Sequence, residues 1–214
     1  MSTSLQWLQW AQLGGPALIV LLALSIAALT IAIVKFWEFW ETRIWRREFV
    51  ARAADAWQRR QFDQALAILQ RERGPLAQVM EHALAQLRAG YDLEAAREAS
   101  AHYAQEKLDD ARSLLRPLEV IAMLAPLIGL LGTVLGMIRV FRDLEQAGGE
   151  LAAGALSGGL WEALLTTAAG LAVAIVALAA FHLLDRMVER LQLDMEGALT
   201  RIYARPPAVR AHAA

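Results

Sequence analysis

Cysteine is absent from the 214 residues, which rules out a disulfide framework and any thiolate-based metal or redox centre. Histidine is scarce too: His82, His102, His182 and His212 lie scattered, with no metal-ligand spacing. Charged residues make up only 20% of the chain, and 21 Lys and Arg against 22 Asp and Glu leave a formal net charge of -1. That balance gives no electrostatic footprint for a nucleic-acid partner. No phosphate-binding glycine loop, nucleophile elbow or zinc motif is present, and nothing pairs a nucleophile with a base. An enzyme is therefore not expected, and no cofactor or metal is implied.

What the chain has in excess is apolar residue, 57% of the total, too much for an ordinary soluble domain of this length. Gly14 to Val34 runs for 21 residues without a charge, enough at about 1.5 Å per residue to cross a hydrocarbon core of about 30 Å. A cleaved signal peptide is the competing reading, but Met1 to Leu13 holds no Lys or Arg and the apolar run is too long for an h-region. Val120 to Ile138 is a second uncharged run, of 19 residues, flanked by Arg116 and Glu119 on one side and by Arg139 and Arg142 on the other. Ser157 to Leu184 is a third, apolar except for Glu162, His182 and the pair Thr166 and Thr167.

Positive charge orients these spans. No Lys or Arg lies in residues 1–13, thirteen lie in 40–116, two in 139–156 and five in 185–214, which predicts an N-terminus outside and a C-terminus inside. Trp7, Trp10, Trp37, Trp40 and Trp45 cluster at the two ends of the first span, as interfacial anchors do. The expected fold is an all-α integral membrane protein with three transmembrane helices and long cytoplasmic helical extensions. Its expected parts are a periplasmic segment 1–13, a first transmembrane helix 14–39, a cytoplasmic helical region 40–116, a second transmembrane helix 117–140, a short periplasmic loop 141–156, a third transmembrane helix 157–184 and a cytoplasmic tail 185–214.

Within the cytoplasmic region, residues 46–72 show apolar residues at helical spacing and read as one helix stopped by Gly74-Pro75. A second helix is predicted over 76–89, ended by Gly90, and a third from the N-cap Asp92 toward the second span.

The polar and small residues inside the spans carry the functional signal. In the second span Ala125, Gly129 and Thr133 recur every four residues and Gly132 and Gly136 form a GxxxG, so another backbone can approach closely; plain helix packing explains these positions equally well. In the third span Glu162 is followed by Thr166, Thr167 and Gly170. A carboxylate in mid-membrane costs about 2.5 to 3.5 kcal/mol and so faces a protein interior or a water path. Counted at about 1.5 Å per residue from the cytoplasmic edges, Thr133 and Thr167 lie level, about 22 and about 25 Å up, and Glu162 about 33 Å up, near the outer interface. Glu162 is thus either an interfacial anchor favoured by the helix dipole or a pore-lining acid. A non-conducting scaffold, in which these groups only hold helices together, is a further alternative.

The segments LEVIAMLAPLIGLLGTVLGMIRVF and GGLWEALLTTAAGLAVAI together resemble the paired signature of the MotA/TolQ/ExbB proton channel family. With one span before them and a helical insertion, the resemblance covers nearly the whole chain. It implies a proton path through Thr133, Glu162 and Thr167, with Ala125, Gly129, Gly132, Gly136 and Gly170 at the helix contacts. It also implies a homopentamer in the bacterial inner membrane that encloses an ExbD- or TolR-like single-span partner and drives a TonB-like or TolA-like energy transducer. An ExbB-like role in outer-membrane transport is expected, with a TolQ-like role in envelope integrity as the alternative. One departure is visible: relatives carry a proline where this chain reads Ala174-Ile175-Val176-Ala177.

Overall fold

A computed structural model describes residues 15–42, 46–146 and 153–204. Among them every regular element is an α-helix: α1 (Gly15–Glu41), α2 (Glu48–Gln58), α3 (Phe62–Gln70), α4 (Pro75–Arg88), α5 (Leu93–Arg112), α6 (Leu115–Gln146) and α7 (Ala153–Ala204). Helices α1, α6 and α7 are long and apolar enough to cross a membrane. The segment 1–13, with Trp7 and Trp10, and Trp45 lie outside the described residues.

Two compact units are present, and α1 and α7 contribute residues to both. The first draws on Met1–Val34 and Leu114–His182. Its core is thin: Leu21, Ala125 and Ala174 are buried, with Ile128, Ala169 and Val173 packed against them. Most large side chains of these helices point away from it, among them Ile26 (59% exposed), Leu127 (60%) and Ile175 (68%). Exposed apolar surface on that scale suits a hydrocarbon solvent, where each helix satisfies its own backbone hydrogen bonds. Helix α7 runs unbroken through Ala174, Ile175, Val176 and Ala177.

The second unit comprises Lys35–Ser113 and Leu183–Ala214. Here the large apolar residues are inside, including Trp57, Leu69, Val79, Met80, Val188, Leu191, Met195 and Ile202. The single helix expected over 46–72 is instead two, α2 and α3. Arg60 adopts φ 63°, and the bonds Arg60 N–H to Trp57 O and Gln61 N–H to Ala56 O close a left-handed C-terminal cap without glycine. The turn is stabilised by burial of Trp57 against Phe62, with ring centroids 4.9 Å apart. Helix α4 is followed by Gly90 at φ 81°, a cap that glycine takes without strain. The Asp92 carboxylate accepts from the Glu94 N–H and opens α5.

The chain breaks again between α5 and α6, where Leu114 stands at φ 65°. Lys35, 1% exposed, secures the end of α5: its ammonium donates to Ser113 Oγ at 3.0 Å and Asp110 O at 3.4 Å and pairs with Glu38 at 2.9 Å. A cation on the last carbonyls of a helix satisfies them and opposes the negative dipole end.

Helices run past two of the boundaries expected from the sequence. Residues 141–146 belong to α6 and 153–156 to α7, so most of the connection expected as a loop over 141–156 is helical. The segment expected as a tail after 184 continues α7 to Ala204, because Leu184, Val188, Leu191, Met195, Ala198 and Ile202 form a buried stripe at alternating spacings of four and three.

Near the end of that stripe the buried Tyr203 hydroxyl donates to Ala96 O at 2.9 Å and accepts from Ser100 Oγ at 2.8 Å, tying α7 to α5. Burial pushes the Tyr203 phenol above its ordinary value of 10.0, and the Ser100 bond acts in the opposite sense. Below that value folded and unfolded chains both hold the proton and stability is constant. Above it the unfolded chain releases the proton first, so stability falls as pH rises. Tyr203→Phe is expected to flatten this alkaline loss while costing about 1 kcal/mol at neutral pH. Thermal unfolding of the detergent-solubilised chain between about pH 8 and about pH 11 measures both effects.

Candidate functional site

In the first unit, α6 and α7 approach until their backbones touch. A Cβ placed on Gly170 would lie 2.6 Å from Ala125 O and 3.0 Å from Gly129 Cα, and one on Gly129 would lie 3.0 Å from Thr166 O. Only hydrogen fits between the helices at this level. The approach brings Thr167 Oγ1 within 3.1 Å of Gly129 O, to which it donates. One turn further along α6, a Cβ on Gly132 would meet Thr166 Oγ1 at 2.7 Å and Ala17 Cβ at 3.1 Å, so the missing side chain leaves room for the buried threonine and for α1. Gly136 faces Ala163 in the same way, and Gly159 faces Val140.

Thr167 is part of this contact, whereas Thr133 bonds within its own helix, and the two threonines do not bond each other. Thr133 is half-buried and its hydroxyl donates to Leu130 O of its own helix at 2.7 Å. Thr166 is the buried member of the threonine pair, donating to Ala163 O at 2.7 Å. A threonine hydroxyl that donates its hydrogen to a carbonyl still has lone pairs to accept another bond. Thr133 and Thr167 therefore each present an acceptor oxygen.

Glu162 is half-buried at a small cleft of about 20 Å³, room for one water. The cleft is lined by Glu162, Ala163 and Thr166 of α7, by Gly132, Leu135, Gly136 and Arg139 of α6, and by Pro16 and Ala17 of α1. Arg139 and Glu162 share it without forming a direct ion pair. Among the described residues no three His, Asp or Glu side chains converge as a metal-binding set.

The sequence profile of the MotA/TolQ/ExbB proton channel family matches residues 71–197, a stretch that contains all of α6 and its contact face with α7. The chain belongs to this family. It is a family of proton channels rather than of enzymes. The chain is 38% identical over 198 residues to biopolymer transport protein ExbB-like 1 of Synechocystis sp., covering 87% of this chain and 73% of that one. It is 36% identical over 112 residues to biopolymer transport protein exbB1 of Vibrio cholerae, covering 52% of this chain and 49% of that protein. A Neisseria gonorrhoeae biopolymer transport protein ExbB matches at 38% over 81 residues, 38% of this chain and 36% of the relative. The matched region thus spans about half or less of two of these three relatives. Family membership together with α1, α6 and α7 makes this a multi-pass bacterial membrane protein.

Two residues of the cleft escape sequence reasoning. Thr166 stands four positions after Glu162, on the same helical face, whereas Thr167 at five positions has turned toward Gly129. That spacing is legible in the sequence. Arg139 reads as the flank of a span, and only the pairing of α6 with α7 brings it to Glu162.

Gly170→Ala sets a methyl against the Ala125 carbonyl, which cannot yield unless the helices separate, and is expected to cost about 1 to 3 kcal/mol. Gly158→Ala, where a Cβ meets nothing within 4 Å, is expected to be neutral or slightly stabilising. Thermal unfolding of the two variants in detergent makes the comparison.

Proposed function

We propose that this chain is the proton-conducting subunit of an ExbB-like motor that uses the proton motive force, across the bacterial inner membrane, to energise TonB-dependent transport at the outer membrane. The observation that supports the reading is that Thr167 and the Glu162 cleft both lie at the α6–α7 contact of a proton-channel family member, with Thr133 four residues beyond Gly129 on α6. With both threonine hydrogens committed to backbone carbonyls, Thr133 and Thr167 accept hydrogen bonds, which suits a protonated carboxyl carried past them by a single-span ExbD-like partner. Glu162, at the end of α6 and α7 nearest their connection, serves as the outer entry. The N-terminus lies outside and the C-terminus inside.

Each proton crossing about 100 mV releases about 2.3 kcal/mol, so work at a distance needs several protons and a mechanical link. Two single-span partners rotating within a homopentameric ring, as the family resemblance implies, supply that link. The relatives named above are ExbB-type, which favours a TonB-like transducer over a TolA-like one.

Proton flux into liposomes holding the chain with its co-expressed partner tests the reading. Thr133→Val, Thr167→Val and Glu162→Ala are each expected to reduce partner-dependent flux at least about ten-fold, equivalent to about 1.4 kcal/mol on the conducting step, while the complex still assembles by size-exclusion chromatography. Undiminished flux through all three assembled variants would remove these residues from the proton path, and absence of partner-dependent flux from the wild type would leave a non-conducting scaffold as the better reading.

A further inference from the structure

The cleft around Glu162 holds two opposite charges and little else that is polar. Glu162 and the exposed Arg139 both line a space of about 20 Å³, and the remaining lining is Gly132, Gly136, Ala17, Pro16, Leu135, Ala163 and Thr166. The Thr166 hydroxyl hydrogen is directed to Ala163 O, so only its lone pairs are left for an occupant. Two glycines on α6 create the room, since a Cβ on Gly132 or Gly136 would lie within 3.0 Å of a Thr166 or Ala163 side-chain atom.

We propose that Arg139 is a specificity-determining residue of the proton path, its guanidinium completing a one-water notch around Glu162 that passes protons and turns away metal cations. The inference rests on the proton-path reading of Glu162 and extends it to ion selectivity. An isolated carboxylate at a membrane surface attracts any cation. With Arg139 on the same lining the notch is neutral overall, so the pull of Glu162 on a metal cation is offset. A hard cation also needs about six or more oxygen ligands, whereas the notch offers one carboxylate, one hydroxyl oxygen and a single water.

A proton requires none of these. A hydronium ion transfers its proton to a Glu162 carboxylate oxygen and departs as water, and the reverse step releases the proton to the next acceptor. Arg139 keeps its charge throughout, so its repulsion of metal cations persists while Glu162 takes up and releases the proton.

The chain has no cysteine, so Glu162→Cys creates a single thiol that reports on the notch in the full-length protein in membranes. The probes are anionic and cationic methanethiosulfonates, with rates normalised to those of a free thiol. Arg139 is expected to favour the anionic reagent about ten-fold, and this preference should vanish in Arg139→Gln and persist in Arg139→Lys. An equal normalised ratio in all three backgrounds, or a thiol that neither reagent reaches, would overturn the proposal. These rates need no proton flux, so they stand or fall apart from the channel reading. In the conducting complex, Arg139→Gln should lower the proton-to-sodium flux ratio about ten-fold. Retained flux with an unchanged ratio would also overturn it, and absence of flux from wild type would count against the channel alone.

Discussion

The contact of α6 with α7 depends on two residues that have no side chain. In a hydrocarbon solvent, leucine gains nothing by leaving lipid for protein, so helices associate through close packing and through hydrogen bonds that lipid cannot offer. Gly129 and Gly170 supply the first by letting backbones meet, and the bond from Thr167 to the Gly129 carbonyl supplies the second at the same level. Gly132 and Gly136 extend the approach along α6, and the space they leave holds the Thr166 hydroxyl and the Glu162 cleft. Packing and polarity are thus one arrangement here: the glycines that close the interface also create a polar recess.

The second unit obeys different physics. Trp57, Met80, Leu191 and Met195 are buried in a core of the kind that water enforces; Lys35 on the end of α5 and Tyr203 between Ala96 and Ser100 are paired inside it, while the buried Trp57 indole N–H has no hydrogen-bond partner among the described residues. One chain therefore carries two solvent logics, apolar side chains outward between Gly15 and Val34 and over α6, and inward over α2 to α5.

How far this was legible follows from the kind of information each feature needs. The three spans are written in long apolar runs, two of them without a charge and the third broken only by Glu162, His182 and the Thr166–Thr167 pair, because a membrane selects for length and low charge. Gly90 and Asp92 announce a cap and an N-terminus by residue type. The division of 46–72 into α2 and α3 carries no such mark: Arg60 occupies a left-handed cap that local propensity would assign to glycine, and burial of Trp57 against Phe62 repays the strain. The helical continuation past residue 184 was readable from its four-and-three stripe, although the charges of Asp185, Arg186, Glu189 and Arg190 mark only the exit from lipid.

The sequence by itself determined the all-helical class, the three apolar helices, and the small and polar residues from which the α6–α7 contact is made, since each is a matter of composition and spacing along one helix. Tertiary structure decided which of those residues meet. It set Thr167 on Gly129 and Thr166 against Gly132, left Thr133 bonded to its own helix, and joined Arg139 to Glu162 across a shared cleft. Those choices depend on the register between two antiparallel helices, a quantity fixed by where their glycines permit contact and recorded in neither helix alone.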